Sequence, residues 1–461
     1  MNRISAHPVT PGILDSWNTA GLTLFLLWFC GCATVTPPDN PSSFWTPPPS
    51  PKPPPPLLSY PVAGTNAPLS LADLTDLALR QHPNTRQAWY EAQAAAAQVD
   101  KARGNFLPTL TAQAALQRQA TQADPETFDQ DYLKFSPGLQ LNLLLFNFGG
   151  GRKAAVEQAL QSVQSAGHAF NRTLQSVLRG VSAAYYERIA AEALLAAAQT
   201  HRADADAILQ AALERGKAGL GTELDVLQAR SGRDQADYVL AAAEGRLEIA
   251  RGALAYAIGF PADTVLPIAV PAQDTPPPLP AADLRRLLDE TLRRRPDLRA
   301  LRSAVAASEA SIDVVGASLW PSLYLNGNLA HSTYDTYGGK DFQDDDTSYG
   351  AGVSLQWTLF DGAQTINARR IARAQTDALR AQLEQAESAA ALEAWSRYHA
   401  YTTALKKSAA ASGFLDSSTA AYQLALDSYQ AGLVSILDVL NAESQVAQAR
   451  GQFVLARHEA L

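Results

Sequence analysis

The sequence predicts a mainly α-helical chain with a smaller β component, built from two copies of one helix–strand–strand–long helix–turn–helix unit. Three observations carry that prediction. The chain repeats itself at a spacing of about 213 residues. Each copy holds a long proline-free stretch with coiled-coil periodicity. Four segments alternate apolar with polar or small residues at a period of two.

Composition narrows the function classes first. The 461 residues are 47% apolar, much of it alanine, and 18% charged, so wholesale disorder is excluded and closely packed thin helical layers are favoured. A net charge of −8 argues against a nucleic-acid partner, which calls for a basic face. Cysteine occurs only at Cys30 and Cys32, which excludes a disulfide framework and a thiolate zinc site.

At the N-terminus, Leu22 to Phe29 form an apolar run far below the roughly 20 residues needed to span a bilayer, so it reads as a signal-peptide core. Phe29-Cys30-Gly31-Cys32 is similar to a bacterial lipobox. It assigns residues 1–31 to a lipoprotein-type signal peptide and lipidation to Cys32. Cys30 is the poorer candidate because bulky Phe29 would precede it, and Ala33, not Asp, follows Cys32, as in a lipoprotein bound for the outer membrane. The leader is atypical in its length and in having Arg3 as its only basic residue; an ordinary cleaved signal with incidental cysteines is the plainer alternative. Residues 32–68 are crowded with proline and read as an extended tether.

The repeat organises the remainder. LALRQHPNTRQAW answers LLDETLRRRPDLRAL, aligned on Pro83 and Pro296. Phe106-Leu107-Pro108 answers Leu319-Trp320-Pro321, and Leu145-Phe146-Asn147 answers Leu359-Phe360-Asp361. Lys217-Ala218-Gly219-Leu220 with Leu224-Asp225-Val226-Leu227 answers Gln430-Ala431-Gly432-Leu433 with Leu437-Asp438-Val439-Leu440. The copies span residues 69–258 and 281–461, joined by a linker at 259–280, and are two parts of one structure rather than independent domains.

The long helices are expected over Gly151 to Arg215 and Ala363 to Gln430; at 1.5 Å per residue each would be about 100 Å long. In the first, Val156, Leu160, Val163, Gly167, Phe170, Leu174, Val177, Val181 and Ala184 follow 4-3 spacing, a heptad seam. The strands are expected at about 107–119, 133–146, 321–334 and 349–360. Alternation of an apolar face with a small or polar one fits membrane β, with lipid on one side and water on the other. A soluble hairpin packed on helices would alternate in the same way, but two hairpins mounted between such long helices have little else to pack on. Phe146, Trp320, Trp357 and Phe360 fall at the helix-side ends, where an interfacial aromatic girdle belongs. The loops around 121–131 and 335–347 are polar and acidic, as solvent-facing tips should be. Four strands cannot close a barrel, and an open edge is not tolerated in lipid, so the barrel must be shared with other copies of the chain. Two copies would give eight strands and an interior filled by side chains; three would give twelve and a bore.

With these features in place, the chain from about Leu69 to Leu461 resembles the TolC-like outer-membrane factors, and its lipobox resembles their lipid-anchored, OprM-like branch. The resemblance rests on the duplicated plan, the paired Leu-Pro and Trp-Pro strand starts and the G-L-x-x-x-L-D-V-L turns in both copies. It implies a homotrimer with a twelve-stranded outer-membrane β-barrel continuing into a periplasmic α-helical barrel. Implied partners are a periplasmic adaptor (membrane fusion protein) and an inner-membrane pump of RND or ABC type. The tip turns, Gly219-Leu220 and Gly432-Leu433, would dock the adaptor; both glycines suit the φ > 0 position that ends a helix. Asp438 matches the family's acidic ring at the periplasmic entrance, and Asp225 and Tyr429 match a pair that links neighbouring helices and holds the entrance shut. Two matches fail: the family's restraining arginine falls on Val434 and its second acidic ring on Asn441, which implies fewer closing links. The last helix also stops at Leu461, about a turn before that of many relatives. Asp225 and Asp438 have a plainer reading as helix-start carboxylates favoured by the macrodipole.

No catalytic constellation competes. His7, His82, His168, His201, His331, His399 and His458 are scattered, and Gly149-Gly150-Gly151-Arg152-Lys153 lacks phosphate-loop spacing. The expected function is therefore a passive efflux duct for small molecules in the Gram-negative outer membrane, with no enzyme activity and no cofactor. The alternatives are the duct of a type I protein secretion system or a non-pore coiled-coil structural lipoprotein.

Overall fold

A computed structural model describes residues 68–121, 130–269, 283–336 and 345–460. Cys32, the signal peptide, most of the tether and parts of the linker and of both acidic loops lie outside the described residues. The first copy runs α1 (Leu71–Gln81), α2 (Pro83–Gly104), β1 (Thr109–Thr121), β2 (Gln130–Asn147), α3 (Gly151–Lys217) and α4 (Glu223–Ile258). The second runs α5 (Leu284–Arg294), α6 (Pro296–Gly316), a 3₁₀ turn (Ala317–Leu319), β3 (Ser322–Thr336), β4 (Asp346–Gln356), α7 (Gln364–Gln430) and α8 (Ile436–Glu459). Pro83 and Pro296 each open a helix at its first turn, where a missing N–H costs nothing. Both long helices have 67 residues, and each starts behind a left-handed residue, Gly150 or Ala363.

The heptad seam is real but alanine-based. Val177 and Val181 are buried, the next buried position is Tyr185 rather than Ala184, and Leu160 remains exposed. From there Ala191, Ala198, Ala205 and Ala212 are buried at seven-residue intervals in α3, as are Ala229 and Ala236 in α4, Ala404, Ala411 and Ser418 in α7, and Val439 and Val446 in α8. A strict seven-residue period on a 3.6-residue helix imposes left-handed supercoiling, and alanine lets neighbouring axes approach closely. The two copies interlock: α3 packs against α6 and α8 as well as α4. Between α3 and α8, His201 meets Glu443 at 2.8 Å and Arg450 meets Asp204 at 2.5 Å. The start of the linker is strapped down, with Tyr185 Oη donating to Ala269 O (2.7 Å) and Arg188 Nη1 to Leu266 O (2.9 Å).

The strands form one antiparallel sheet in the order β1-β2-β3-β4, so the hairpins of the two copies are joined through β2 and β3. Its faces are chemically distinct. Leu110 pairs with Leu141, Leu139 with Leu329, Leu143 with Leu325, Leu325 with Val353, and Leu323 with Leu355. On the other face Asn142 Nδ2 donates to Asn326 Oδ1 (2.9 Å), and Asn326 Nδ2 donates to Ser354 Oγ (2.8 Å), a polar ladder across three strands. Among the described residues β1 and β4 each have one unpaired edge.

Two features depart from simple alternation. The first is a bulge between Leu144 and Phe146, which places Phe146 opposite Leu323 and leaves Leu145 out of the ladder. Arg152 satisfies the carbonyls of Leu144 (2.5 Å) and Leu145 (2.8 Å) while lying 4.5 Å from the Phe106 ring centroid. The glycine-rich segment thus carries a structural arginine. The second concerns strand ends: β1 starts at Thr109 rather than 107, β3 at Ser322, and β4 stops at Gln356, so Trp357 to Phe360 lie beyond it. Pro108 and Pro321 cannot donate to a ladder, which ends the pairing at Thr109–Asn142 and Ser322–Gln356. Trp357 instead donates its indole N–H to Leu319 O (3.1 Å), and Phe146, Trp320, Trp357 and Phe360 are all exposed at this end of the sheet.

Candidate functional site

The candidate site is the pair of helix reversals, α3 to α4 and α7 to α8, at the ends of the long helices away from the sheet. Both reversals are Schellman motifs. Leu220 N donates to Arg215 O (2.9 Å) and Leu433 N to Ser428 O (2.8 Å), closing turns that require a left-handed residue. Gly219 (φ 74°) and Gly432 (φ 80°) supply it. Leu220 and Leu433 follow, 70% and 79% exposed, so each tip presents an unburied leucine.

Asp225 and Asp438 hold the same position in each copy, the third residue of a capping box. Thr222 N donates to Asp225 Oδ2 (2.9 Å) and Asp225 N to Thr222 Oγ1 (3.2 Å). Ser435 donates to Asp438 Oδ2 through both N (2.9 Å) and Oγ (2.7 Å). These bonds hold the Asp438 carboxyl below the usual carboxylate range, so it is ionised at neutral pH and exposed at the tip. Each aspartate is therefore a helix-start carboxylate within its own chain; the capping role and a role at an entrance use different lone pairs and do not exclude one another.

Tyr429 lies in the last turn of α7 and is 2% exposed, in a cluster with Ile208, Ala212, Tyr422, Ile436 and Val439. Burial, reinforced by the charge of Asp225, pushes its hydroxyl pKa up, partly offset by Arg215. The hydroxyl has no hydrogen-bond partner of acceptable geometry, so Asp225 and Tyr429 are near one another without being bonded within one chain. Val434 packs against the same cluster, and Asn441 is exposed on α8.

Arg215, in the last turn of α3, was not among the residues singled out by sequence. Its Nη1 donates to Tyr429 O (2.7 Å), its Nη2 donates to Leu220 O (3.2 Å), and its guanidinium carbon lies 4.8 Å from the Tyr429 ring centroid. The repeat did hold a signal. At the 213-residue spacing Arg215 answers Ser428 and Tyr429 answers Gly216, so this pair breaks the symmetry of two otherwise matching turns.

Among the described residues no group of His, Cys, Asp and Glu is arranged to hold a metal, and no helix is long and apolar enough to cross a membrane. The sheet, with its apolar face, is the membrane-compatible part.

Comparison with known proteins agrees with this architecture. The chain is 29% identical over 415 residues to protein CyaE of Bordetella pertussis, covering 89% of this chain and 86% of that protein. It is 27% identical over 360 residues to the pyoverdine export outer membrane protein OpmQ of Pseudomonas putida, covering 72% of this chain and 69% of that one. The solved structure of the outer-membrane channel OprN superposes with a TM-score of 0.73 at 24% identity, over 85% of this chain and 87% of that one, and shares the fold. The profile of the outer membrane efflux protein family matches residues 74–260 and 287–461, both copies of the repeat. With its duplicated plan, two-faced sheet and paired helix reversals, the chain belongs to the outer membrane efflux protein family.

Proposed function

We propose that the chain is the outer-membrane exit duct of a tripartite efflux system, a passive channel for small molecules that a pump in the inner membrane drives through a periplasmic adaptor. The observation that carries this reading is the sheet: one apolar face, one polar face and two open edges, mounted on 67-residue helices. Open edges in lipid must be paired, and joining β4 of one copy to β1 of the next does so. Three copies give twelve strands and a bore, in keeping with a family whose members work as trimers with adaptors and inner-membrane pumps. Purified protein should run as a trimer and conduct ions in a planar bilayer. A monomer without conductance would overturn the duct.

In that trimer, three Asp438 carboxylates approach the axis at the tip and form a cation-attracting mouth; Asp225 and Tyr429 bear on neighbouring helices there, and Leu220 and Leu433 with their glycines dock the adaptor. Like charges in a narrow mouth focus the field on counter-ions. Asp438→Ala should lower cation selectivity and relieve block by multivalent cations added on the periplasmic side. Asp438→Asn should do the same, which separates charge from capping. Unchanged selectivity in both variants would place the entrance elsewhere.

The anchor belongs to the same proposal. Cleavage before Cys32 and lipidation of its thiol tether the mature chain to the outer membrane. Mass spectrometry of the mature N-terminus should find an acylated Cys32. A chain beginning elsewhere with a free Cys32 would refute the assignment. Because lipid anchors alone bind weakly, Cys32→Ser should alter sorting more than barrel stability.

A further inference from the structure

We propose that Arg215 is a clasp that joins the two tip turns of one protomer, so that the α3–α4 and α7–α8 tips move as a unit. The guanidinium bonds to backbone on both sides of the symmetry break. Nη1 serves the carbonyl of Tyr429 at 2.7 Å, a last-turn carbonyl of α7 that also accepts from Gly432 N (3.0 Å) as the turn closes, with Gln430 O at 3.5 Å. Nη2 serves Leu220 O at 3.2 Å, inside the first turn. A positive group there also meets the negative end of the α7 macrodipole, so a residue of the first copy caps a helix of the second.

Packing fixes the geometry further. The guanidinium lies over the Tyr429 ring, and a Cβ built on Gly432 would sit 3.4 Å from Nη1, so the second turn closes directly against the arginine. Tyr429 is thereby held by its ring and its carbonyl. Position 434 is occupied by apolar packing, where Val434 joins the cluster around Tyr429 and Ile436. A cation at the tips thus comes from α3 of the same chain. The duplicated tip carries no mirror contact, because Ser428 and Gly216 stand where Arg215 and Tyr429 would be. Lysine cannot substitute fully: a point charge on a flexible stem does not serve two carbonyls and a ring face at once.

One consequence is mechanical. Opening by sliding one hairpin tip past the other within a protomer must break the clasp, whereas opening between protomers leaves it intact. This inference rests on the reading of the tips as the entrance, and the test separates the two. Amide hydrogen exchange on the detergent-solubilised trimer would follow residues 216–222 and 428–435 in the parent, Arg215→Ala and Arg215→Lys. Arg215→Ala should speed exchange in both segments about tenfold, although the change lies on only one of them, and Arg215→Lys should fall between. Bilayer conductance of the same preparations should rise in Arg215→Ala. Faster exchange confined to 216–222 in Arg215→Ala would overturn the clasp, leaving Arg215 as a cap on its own turn. Faster exchange in both segments with unchanged conductance would keep the clasp and overturn opening by sliding within a protomer, while the entrance itself stands or falls on the selectivity of Asp438→Ala.

Discussion

Leu355→Arg is expected to abolish most assembly of the proposed trimer. Leu355 is 63% exposed in the single chain and pairs with Leu323 on the apolar face of the sheet. If that face meets lipid, a guanidinium there costs about 2–4 kcal/mol at mid-bilayer, a factor of roughly 30 to 1,000 in equilibrium. Gly352→Arg is the matched control. It lies three residues away on the polar face, where a Cβ would meet nothing within 4 Å, so its side chain enters water. Heat-modifiable trimer on gels and recovery in outer-membrane fractions would report both. Normal assembly of Leu355→Arg alongside failure of Gly352→Arg would mean that the faces are reversed.

A second large effect is expected where the sheet meets the helices. A Cβ on Gly149 would lie 2.6 Å from Ala317 Cα, 2.7 Å from Ala317 O and 2.9 Å from Trp320 Cδ1. Two of these are backbone atoms, which cannot rotate away. Gly149→Val must therefore separate β2 and α3 from the α6–3₁₀ segment, costing more than about 3 kcal/mol by overpacking. Gly150→Ala tests a different requirement one residue on: its φ of 72° is left-handed, but no atom lies within 4 Å of the new methyl, so only about 1 kcal/mol of backbone strain is expected. Thermal unfolding followed by helical circular dichroism should rank Gly149→Val far below Gly150→Ala. Equal stabilities would show that the close approach at Ala317 is not maintained in the membrane.

These two sites differ in how far they were legible. The phase of β4 could be read from Tyr349, Ala351, Val353 and Leu355 against Gly350, Gly352, Ser354 and Gln356, because a strand exposes its period directly. The roles of Gly149 and Gly151 could not. Three consecutive glycines announce a turn, yet only Gly150 has positive φ, while an added Cβ on Gly149 or Gly151 would lie 2.6 Å from Ala317, some 170 residues later in the chain. The bulge at Leu145 was hidden for a related reason: a run of leucines keeps an apparent period through a one-residue slip, and Arg152, which satisfies the freed carbonyls, reads in sequence as an ordinary charge.

At the tips the division is similar. Gly219 and Gly432 stood out because a helix end calls for a left-handed residue after its last turn, and Asp225 and Asp438 because both copies repeat a carboxylate at a helix start; that each closes a capping box with Thr222 or Ser435 came from the structure. By itself the sequence determined the duplicated plan, the long helices, the two-faced strands and both reversals, since each follows from backbone geometry within a few turns of chain. Only the tertiary structure decided which residues meet across the repeat: Arg215 with Tyr429, Gly149 with Ala317, and the joining of β2 to β3. Those contacts link residues far apart in sequence, and neither periodicity nor capping chemistry carries information over such separations.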